Sequence, residues 1–262
     1  MFSWLKNLFS SNKESLDSHT SVDATKSVEL NSDLSDDELD PCTIGWDAIT
    51  AECERVYPGQ TDPMHFGTLI SWRLGGDSPL DGISVYDDGD NWHFVTYGLS
   101  ELYEKDSEDP TISGYGMEFT YRLDKASAND DEIRSVCGVL QQIAKLTFTA
   151  GEIFKPYEYL YSGQTEGIDS NNSSNIVGFI TIPDAKLQTL DTPNGKLEFV
   201  EFIGVTNEEL LAVKDKKMTV QELYELLGTD ATSYNRNPVL EYNGAESVSY
   251  THLRAHETDQ YL

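Results

Sequence analysis

The residues able to do chemistry are few and scattered along the 262-residue chain. Outside the two chain ends the histidines are His65 and His93. His93 stands between Trp92 and Phe94 in a strand-like run, the setting of a hydrogen-bonded sheet residue more than of a general base. His65 lies in a Pro-rich loop within reach of Asp62, which reads as a loop contact. Cys42, Cys53 and Cys137 are odd in number and lack a C-x-x-C spacing, so they suggest neither a disulfide framework nor a zinc site. Asp169, Asn171 and Ser173 match the first three ligand positions of an EF-hand calcium loop. Its sixth position is Ser174 in place of Gly and its twelfth Ile180 in place of Glu, so the ligand set fails. The clusters Asp87-Asp88-Asp90 and Glu104-Asp106-Glu108-Asp109 carry charge for weak calcium binding but no ligand spacing, and read as solvated loop tips. The chain has no G-x-S-x-G elbow, no phosphate-binding G-x-x-x-x-G-K-[ST] loop, no G-x-G-x-x-G after a strand and no H-E-x-x-H. These patterns lead to no catalytic residue, no metal and no cofactor. The competing reading is a hydrolase or other enzyme built around His65, His93 and nearby acids.

The elements that would position these residues follow from periodicity. Trp46, Ile49, Cys53 and Val56 recur at helical spacing after an Asp40-Pro41 start, and Tyr57-Pro58-Gly59 ends that helix. Two β-rich runs, 82–86 and 92–97, flank Asp87-Asp88-Gly89-Asp90 as a hairpin. Tyr115, Met117, Phe119 and Tyr121 alternate with Gly116, Glu118, Thr120 and Arg122, a strand with one apolar face on the core. Asp130 can cap a long helix with the stripe Ile133, Val136, Cys137, Leu140, Ile143 and Ala144, stopping at Gly151. Segments 175–182 and 196–205 read as strands, and Asn194-Gly195 offers two residues for the positive φ of a tight hairpin turn. Thr206 with Glu209, and Thr219 with Glu222, are capping boxes opening two short helices, the second closed by Gly228. Hairpins interleaved with a few helices predict an α+β domain with a mostly antiparallel sheet backed by helices.

Charge sets the partners. With 46 acidic and 18 basic residues the net charge is −28 and the pI about 4.2. No basic cluster stands against that field, so nucleic acid is excluded as a partner. No run approaches the roughly 20 apolar residues of a membrane span, so no integral membrane segment is expected. Residues 1–40 carry three Lys against nine Asp or Glu and read as a disordered acidic tether. It begins with Phe2, Trp4, Leu5, Leu8 and Phe9, an apolar stripe suited to a partner groove or a membrane surface, or a frayed leader. Residues 1–11 lack a cleavage site and do not read as a secretory signal, which makes the cytoplasm the default location. Residues 247–262, SVSYTHLRAHETDQYL, resemble translated sequencing-adapter read-through and read as a non-native tail, so His252 and His256 at i, i+4 carry no metal meaning. Setting aside the −6 of the tether and the −1 of the tail leaves 41–246, the expected folded domain, at −21.

Within that domain a series of blocks resembles one known family. Tyr57-Pro58-Gly59-Gln60-Thr61-Asp62-Pro63, Leu74-Gly75-Gly76, and Pro79-Leu80-Asp81-Gly82-Ile83-Ser84-Val85-Tyr86 come first. Trp92-His93-Phe94-Val95-Thr96-Tyr97-Gly98-Leu99-Ser100-Glu101-Leu102-Tyr103 follows, then Ser113-Gly114-Tyr115-Gly116-Met117-Glu118-Phe119-Thr120-Tyr121-Arg122-Leu123 and Thr192-Pro193-Asn194-Gly195. These resemble, in order and over roughly 44–228, the suppressor of fused domain. The resemblance implies a non-enzymatic protein-binding domain folded as a mixed α and β sandwich. Animal members clasp a short peptide of Gli-type transcription factors as an added strand under a second domain, and no match to that second domain follows here, so Gli binding is not carried over. The lean chain is similar to bacterial single-domain members, many of which look like immunity proteins of toxin systems.

Two peptide contacts carry over by resemblance. Tyr103 matches the Tyr ending the family's Leu-Ser-acidic-Leu-Tyr segment, with helix-end packing as its alternative role. Asp109 lies in the following loop, where the animal protein sets an Asp against its ligand. The expected function is a cytoplasmic protein that binds and neutralises a protein partner, an immunity protein facing a basic toxin. The alternatives are an intracellular regulator of an endogenous protein and the enzyme above.

Overall fold

In the computed structural model, which describes residues 43–242 and 248–250, the first helix, α1 (Ile44–Val56), ends where Tyr57 and Pro58 stop it. The expected Asp40-Pro41 start, the 1–40 tether and most of the 247–262 tail lie outside the described residues. The chain then forms β1 (Met64–Gly67), β2 (Gly82–Asp88) and β3 (Asn91–Tyr97). Asp88 pairs with Asn91, so the hairpin turn is Gly89-Asp90, and Gly89 takes the φ of +69° that the turn requires. Next come β4 (Ile112–Asp124) and α2 (Asp130–Ala150). The cap of α2 is Asn129 and not Asp130: the Asn129 side chain accepts from the Glu132 N–H, and Asp130 adds its charge to the first turn. The remaining elements are β5 (Tyr159–Leu160), β6 (Ile176–Pro183), β7 (Leu190–Thr192), β8 (Gly195–Thr206), α3 (Asn207–Lys214), α4 (Val220–Leu227), β9 (Ala231–Thr232), β10 (Leu240–Tyr242) and β11 (Val248–Tyr250). Both predicted capping boxes are present, at Thr206/Glu209 and Thr219/Glu222.

The large sheet runs β1-β2-β3-β4-β8-β6-β5, with β7 on β8 and β9 on β4. Its pairs are antiparallel except β4 with β8 and β4 with β9. This is the predicted α+β architecture with a mostly antiparallel sheet. β10 and β11 form a separate two-stranded pair.

Strand alternation sorts the side chains between two faces. One face carries Phe94, Phe119, Tyr121, Val200 and Phe202, which pack with the α2 stripe Ile133, Val136, Leu140, Ile143 and Ala144. On the opposite face α1 places Ile49, Cys53 and Tyr57 over Tyr86, Val95, Tyr97, Leu197 and Phe199. Farther along that face α3 and α4 place Leu210, Val213, Val220 and Leu223 over Ile180, Ile182, Ile203 and Val205. The sheet is therefore covered on both sides. The second face of β4, expected to be its polar side, is sealed: Glu118, Thr120 and Arg122 are buried.

Candidate functional site

Between the two helix packs on that second face lies a strip of buried charge. Arg122 donates from Nε to Asp88 (3.1 Å) and from Nη2 to Asp184 (3.2 Å), its Nη1 meets Glu201, and Asp230 stands 3.5 Å away. Lys186 closes on the far oxygen of Asp88. His93 is fully buried, with Nε2 3.0 Å from Asp184 and Nδ1 2.6 Å from the Tyr57 hydroxyl. An ionised carboxylate only accepts, so Nε2 carries the proton and Nδ1 accepts from Tyr57. Burial lowers the His93 pKa, which keeps the ring neutral. Asp184 is held well below the usual carboxylate range: burial raises it, but the His93 bond and the Arg122 charge outweigh that. Burial beside Asp184 and Asp230 pushes Glu201 well up, and its Oε1 has no partner among the described residues.

This strip locks α1 and the 184–188 loop to the sheet. Within it His93 has no solvent-accessible surface from which to reach a substrate proton. Of the acidic clusters expected as solvated loop tips, Asp90, Glu104, Glu108 and Asp109 are exposed, and so are Asp87 and Asp106, which pair with Lys125 and Arg73; Asp88 differs, being drawn into the buried strip. His65 lies in β1, not in a loop, and its Nδ1 meets the Ser84 hydroxyl (3.0 Å), not Asp62, because pairing with β2 sets Ser84 opposite it. Asp169 turns its carboxylate inward onto the Ser173 and Ser174 N–H groups.

The accessible site lies at the other end of β4, where the chain leaves β3 at Gly98 and returns at Ile112. Gly98 has φ +133°, and a Cβ there would meet the Asp81 nitrogen at 2.8 Å, so the departure requires glycine. Three polar side chains, Glu118 and Asn194 buried and Glu101 partly so, then fix the loop. Glu118 accepts from the N–H groups of Gly98 (3.0 Å), Leu99 (3.1 Å) and Ser100 (2.9 Å) and from the Thr96 and Ser100 hydroxyls (both 2.7 Å). Burial raises its pKa to about 7, held from rising further by those five bonds. Glu101 accepts from the Asp106, Ser107 and Gly114 N–H groups and from Lys105. Those contacts outweigh partial burial and hold its pKa at about 2. Asn194 donates from Nδ2 to the carbonyls of Glu101 (2.8 Å) and Tyr103 (3.1 Å).

The Asn194 turn differs from the sequence expectation. Gly195 alone of the pair has positive φ, +109°, while Asn194 does not, because Pro193 and Asn194 are the central turn residues and Asn194 is turned inward to hold the loop. Replacing Asn194 by Ala leaves two carbonyls short of donors. Its expected effect is a stability loss of about 1–2 kcal/mol with faster amide exchange in 101–107, measured by hydrogen exchange. Unchanged exchange there would show that the turn is not what holds the loop. From the other side α1 docks on the same backbone: the Gly45 and Trp46 N–H groups both lie 3.0 Å from the Leu102 carbonyl, and a Cβ on Gly45 would sit 2.0 Å from the Glu101 oxygen.

The loop so held forms one wall of an open cleft of about 300 Å³, walled elsewhere by Trp72, Asp81, Tyr115 and Phe148. Tyr103 lines it, 40% exposed, and partial burial together with the nearby Asp81 charge raises its pKa. Phe148 brings its ring centroid 5.7 Å from Trp72 and 5.1 Å from Tyr115, giving an aromatic floor. Asp109 is not on the cleft wall. It accepts from the Thr111 N–H (2.8 Å) and hydroxyl (2.6 Å) and so shapes the exposed turn into β4. Sequence reasoning reached Tyr103 and missed Glu118, Glu101 and Asn194 as the groups that hold it. The signal available was an acid, Glu118, between Met117 and Phe119 in an apolar run.

The loop, tied down by these bonds, presents an aromatic, partly exposed cleft at the end of a two-sided α+β sandwich. The chain belongs to the suppressor of fused family, whose sequence profile, "Suppressor of fused protein (SUFU)", matches residues 76–237. The suppressor of fused homologs of Homo sapiens and Mus musculus are each 28% identical over 200 residues, covering 71% of this chain and 40% of theirs. The chain thus spans about 40% of the length of these curated relatives. The Drosophila Suppressor of Fused crystal structure superposes with a TM-score of 0.66 at 25% identity, over 75% of this chain and 51% of that one. A chain of the Sufu-Fu complex crystal structure does so with a TM-score of 0.64 at 25% identity, over 75% and 92%. No helix among the described residues is long and apolar enough to cross a membrane.

Proposed function

We propose that this chain is a non-enzymatic binding domain that captures a segment of a protein partner in the Tyr103 cleft and thereby neutralises the partner, as the immunity protein of a toxin system acting in the cytoplasm. The observation carrying this reading is the cleft: an exposed Tyr over an aromatic floor, on a loop immobilised by Glu118, Glu101 and Asn194. A wall held rigid before binding loses little freedom when a ligand arrives. The Sufu-Fu complex, a relative in a complex, supports a protein as the ligand. A chain at −28 is steered toward a basic partner, which favours a cationic toxin.

The test is capture of partners by the full chain from the source cell's lysate and medium, followed by kinetics on the purified pair. A partner of the proposed kind is basic and associates about tenfold more slowly at high than at low salt. It also binds the Tyr103→Ala form about 30-fold less tightly, the loss of a central aromatic anchor. Asp109 is proposed as a rim contact, and its substitution by Asn shifts affinity by less than about threefold. A partner indifferent to Tyr103 would place the interface elsewhere.

A further inference from the structure

We propose that β1 is a self-association edge: two copies of this chain pair their β1 strands antiparallel about a two-fold axis at Phe66 and so join their sheets. This contact is separate from the Tyr103 cleft and requires no other protein.

β1 is the terminal strand of the sheet, and no other strand among the described residues lies along its outer side. The Thr68 N–H donates to the Asp81 carbonyl, which makes these two a hydrogen-bonded pair in register with the β1–β2 ladder. Alternation then makes Phe66 with Ile83, and Met64 with Val85, hydrogen-bonded pairs too. The N–H and C=O groups of His65 and Gly67 are left pointing outward, and they are self-complementary. With Phe66 opposite its own copy, His65 of each chain faces Gly67 of the other, and each such pair exchanges both of its bonds. Within β1, a register centred on His65 or on Gly67 forms only half as many. The surface around this edge is apolar and exposed: Leu69 is fully exposed, Leu74 81%, Ile70 57% and Met64 40%. Phe66, Leu69, Ile70, Ile83 and Cys137 line an open groove of about 490 Å³ beside β1. Exposed apolar surface of this kind marks an interaction site, and an edge strand that carries no Lys, no Pro and no bulge is a template for another strand. Charge selects a second copy as the occupant. A two-fold contact sets each patch against its own copy, so chains at −28 meet most readily where acids are missing. Residues 63–76 hold no Asp or Glu, and Arg73 within them is paired with Asp106. A basic partner finds no carboxylate in this stretch, whereas a copy meets a neutral apolar surface like its own.

The test is sedimentation velocity of the full chain over a range of concentrations at low and high salt. The expected result is a monomer–dimer equilibrium whose Kd tightens about threefold as salt rises, because screening removes the repulsion between two copies at −28. Leu69→Glu, at a fully exposed position, weakens the dimer about tenfold. Gly67→Pro removes an outward N–H, leaves the bonds to β2 in place and weakens the dimer as well. Both variants keep the far-UV circular dichroism of the wild type, and Tyr103→Ala leaves the dimer unchanged, which keeps this result separate from the cleft. The register has its own readout, taken in a Cys42→Ser background under mild oxidation. Phe66→Cys forms a disulfide-linked dimer, since opposed residues of a non-hydrogen-bonded pair bring their Cα atoms to about 4.5 Å. Met64→Cys, displaced along the strand from its own copy, does not. A chain that stays monomeric at every concentration and salt overturns the proposal, and so does a dimer that Leu69→Glu and Gly67→Pro leave intact. A dimer that Met64→Cys links as readily as Phe66→Cys overturns the two-fold at Phe66. A monomer whose capture of another protein is abolished by Leu69→Glu gives the edge to a partner's strand and overturns it too.

Discussion

Replacing Arg122 by Met lowers the unfolding free energy by about 3–5 kcal/mol, because it strips Asp88, Asp184 and Glu201 of the buried counter-charge they share. Asp88, Asp184, Glu201 and Asp230 all converge on that one guanidinium, three of them from side chains at most 8% exposed. Domain stability is typically about 5–15 kcal/mol, so the loss is a large fraction of the whole. Urea unfolding followed by tryptophan fluorescence measures it, and a change below about 1 kcal/mol would mean the strip is not what ties α1 and the 184–188 loop to the sheet. The pH dependence has a definite sign. The folded pKa of His93 lies below 6.5, so as pH falls through 6.5 the unfolded chain takes a proton that the folded chain refuses, and stability drops. Asp88 and Asp184 have folded pKa values below 3.8, so they contribute stability above that pH, and it is lost as pH falls through it. Stability therefore falls in two successive pH windows as acid is added.

Glu118→Ala is the second large effect. It removes the common acceptor of three backbone N–H groups and two hydroxyls beneath the cleft, and each buried donor left unpaired costs about 1–3 kcal/mol before relaxation. After water enters, the expected net loss is about 3 kcal/mol, accompanied by loss of exchange protection at Gly98, Leu99 and Ser100. Intact protection at those amides would overturn this account of the loop. The pH signature is opposite to that of the ionic strip. Unfolded, Glu118 ionises near 4.5; folded, it does so at about 7, so over that interval the folded state holds a proton the unfolded state has released, and stability falls as pH rises. His93 slopes the other way in an overlapping window, so the wild-type profile hides both. Subtracting the profile of Glu118→Gln from that of the wild type isolates the carboxyl: between pH 5 and 7 the variant loses the Glu118 contribution while His93 cancels.

Local signals in the chain were sufficient for much of the architecture. The α2 stripe was legible because α2 packs one face on one sheet, so the 3.6-residue period and the burial pattern coincide. Caps and turns were legible to within a residue because they are satisfied within a few positions, as at Thr206/Glu209 and Gly89. Asn129 in place of Asp130, and the Asn194 turn, show the limit: adjacent residues both suited to a cap or a turn are separated only by what each side chain can reach. For Asn194 that is a pair of carbonyls more than 90 positions away in the chain.

The sequence by itself determined that the chain folds as an α+β domain, which residues share a strand face or helix stripe, that the surface is strongly acidic, and that Tyr103 belongs to a recognisable segment. Only the tertiary structure decided that the polar face of β4 is sealed, that His93 sits in an ionic lock and not at a site, and that Glu118, Glu101 and Asn194 hold the cleft. The reason is physical. Alternation with a period of two says which residues point the same way, but whether that direction holds water or another layer depends on α1 and the 184–188 loop, which arrive from distant parts of the chain. A charge whose partners are brought by long-range contacts looks, in sequence, the same as a charge facing solvent.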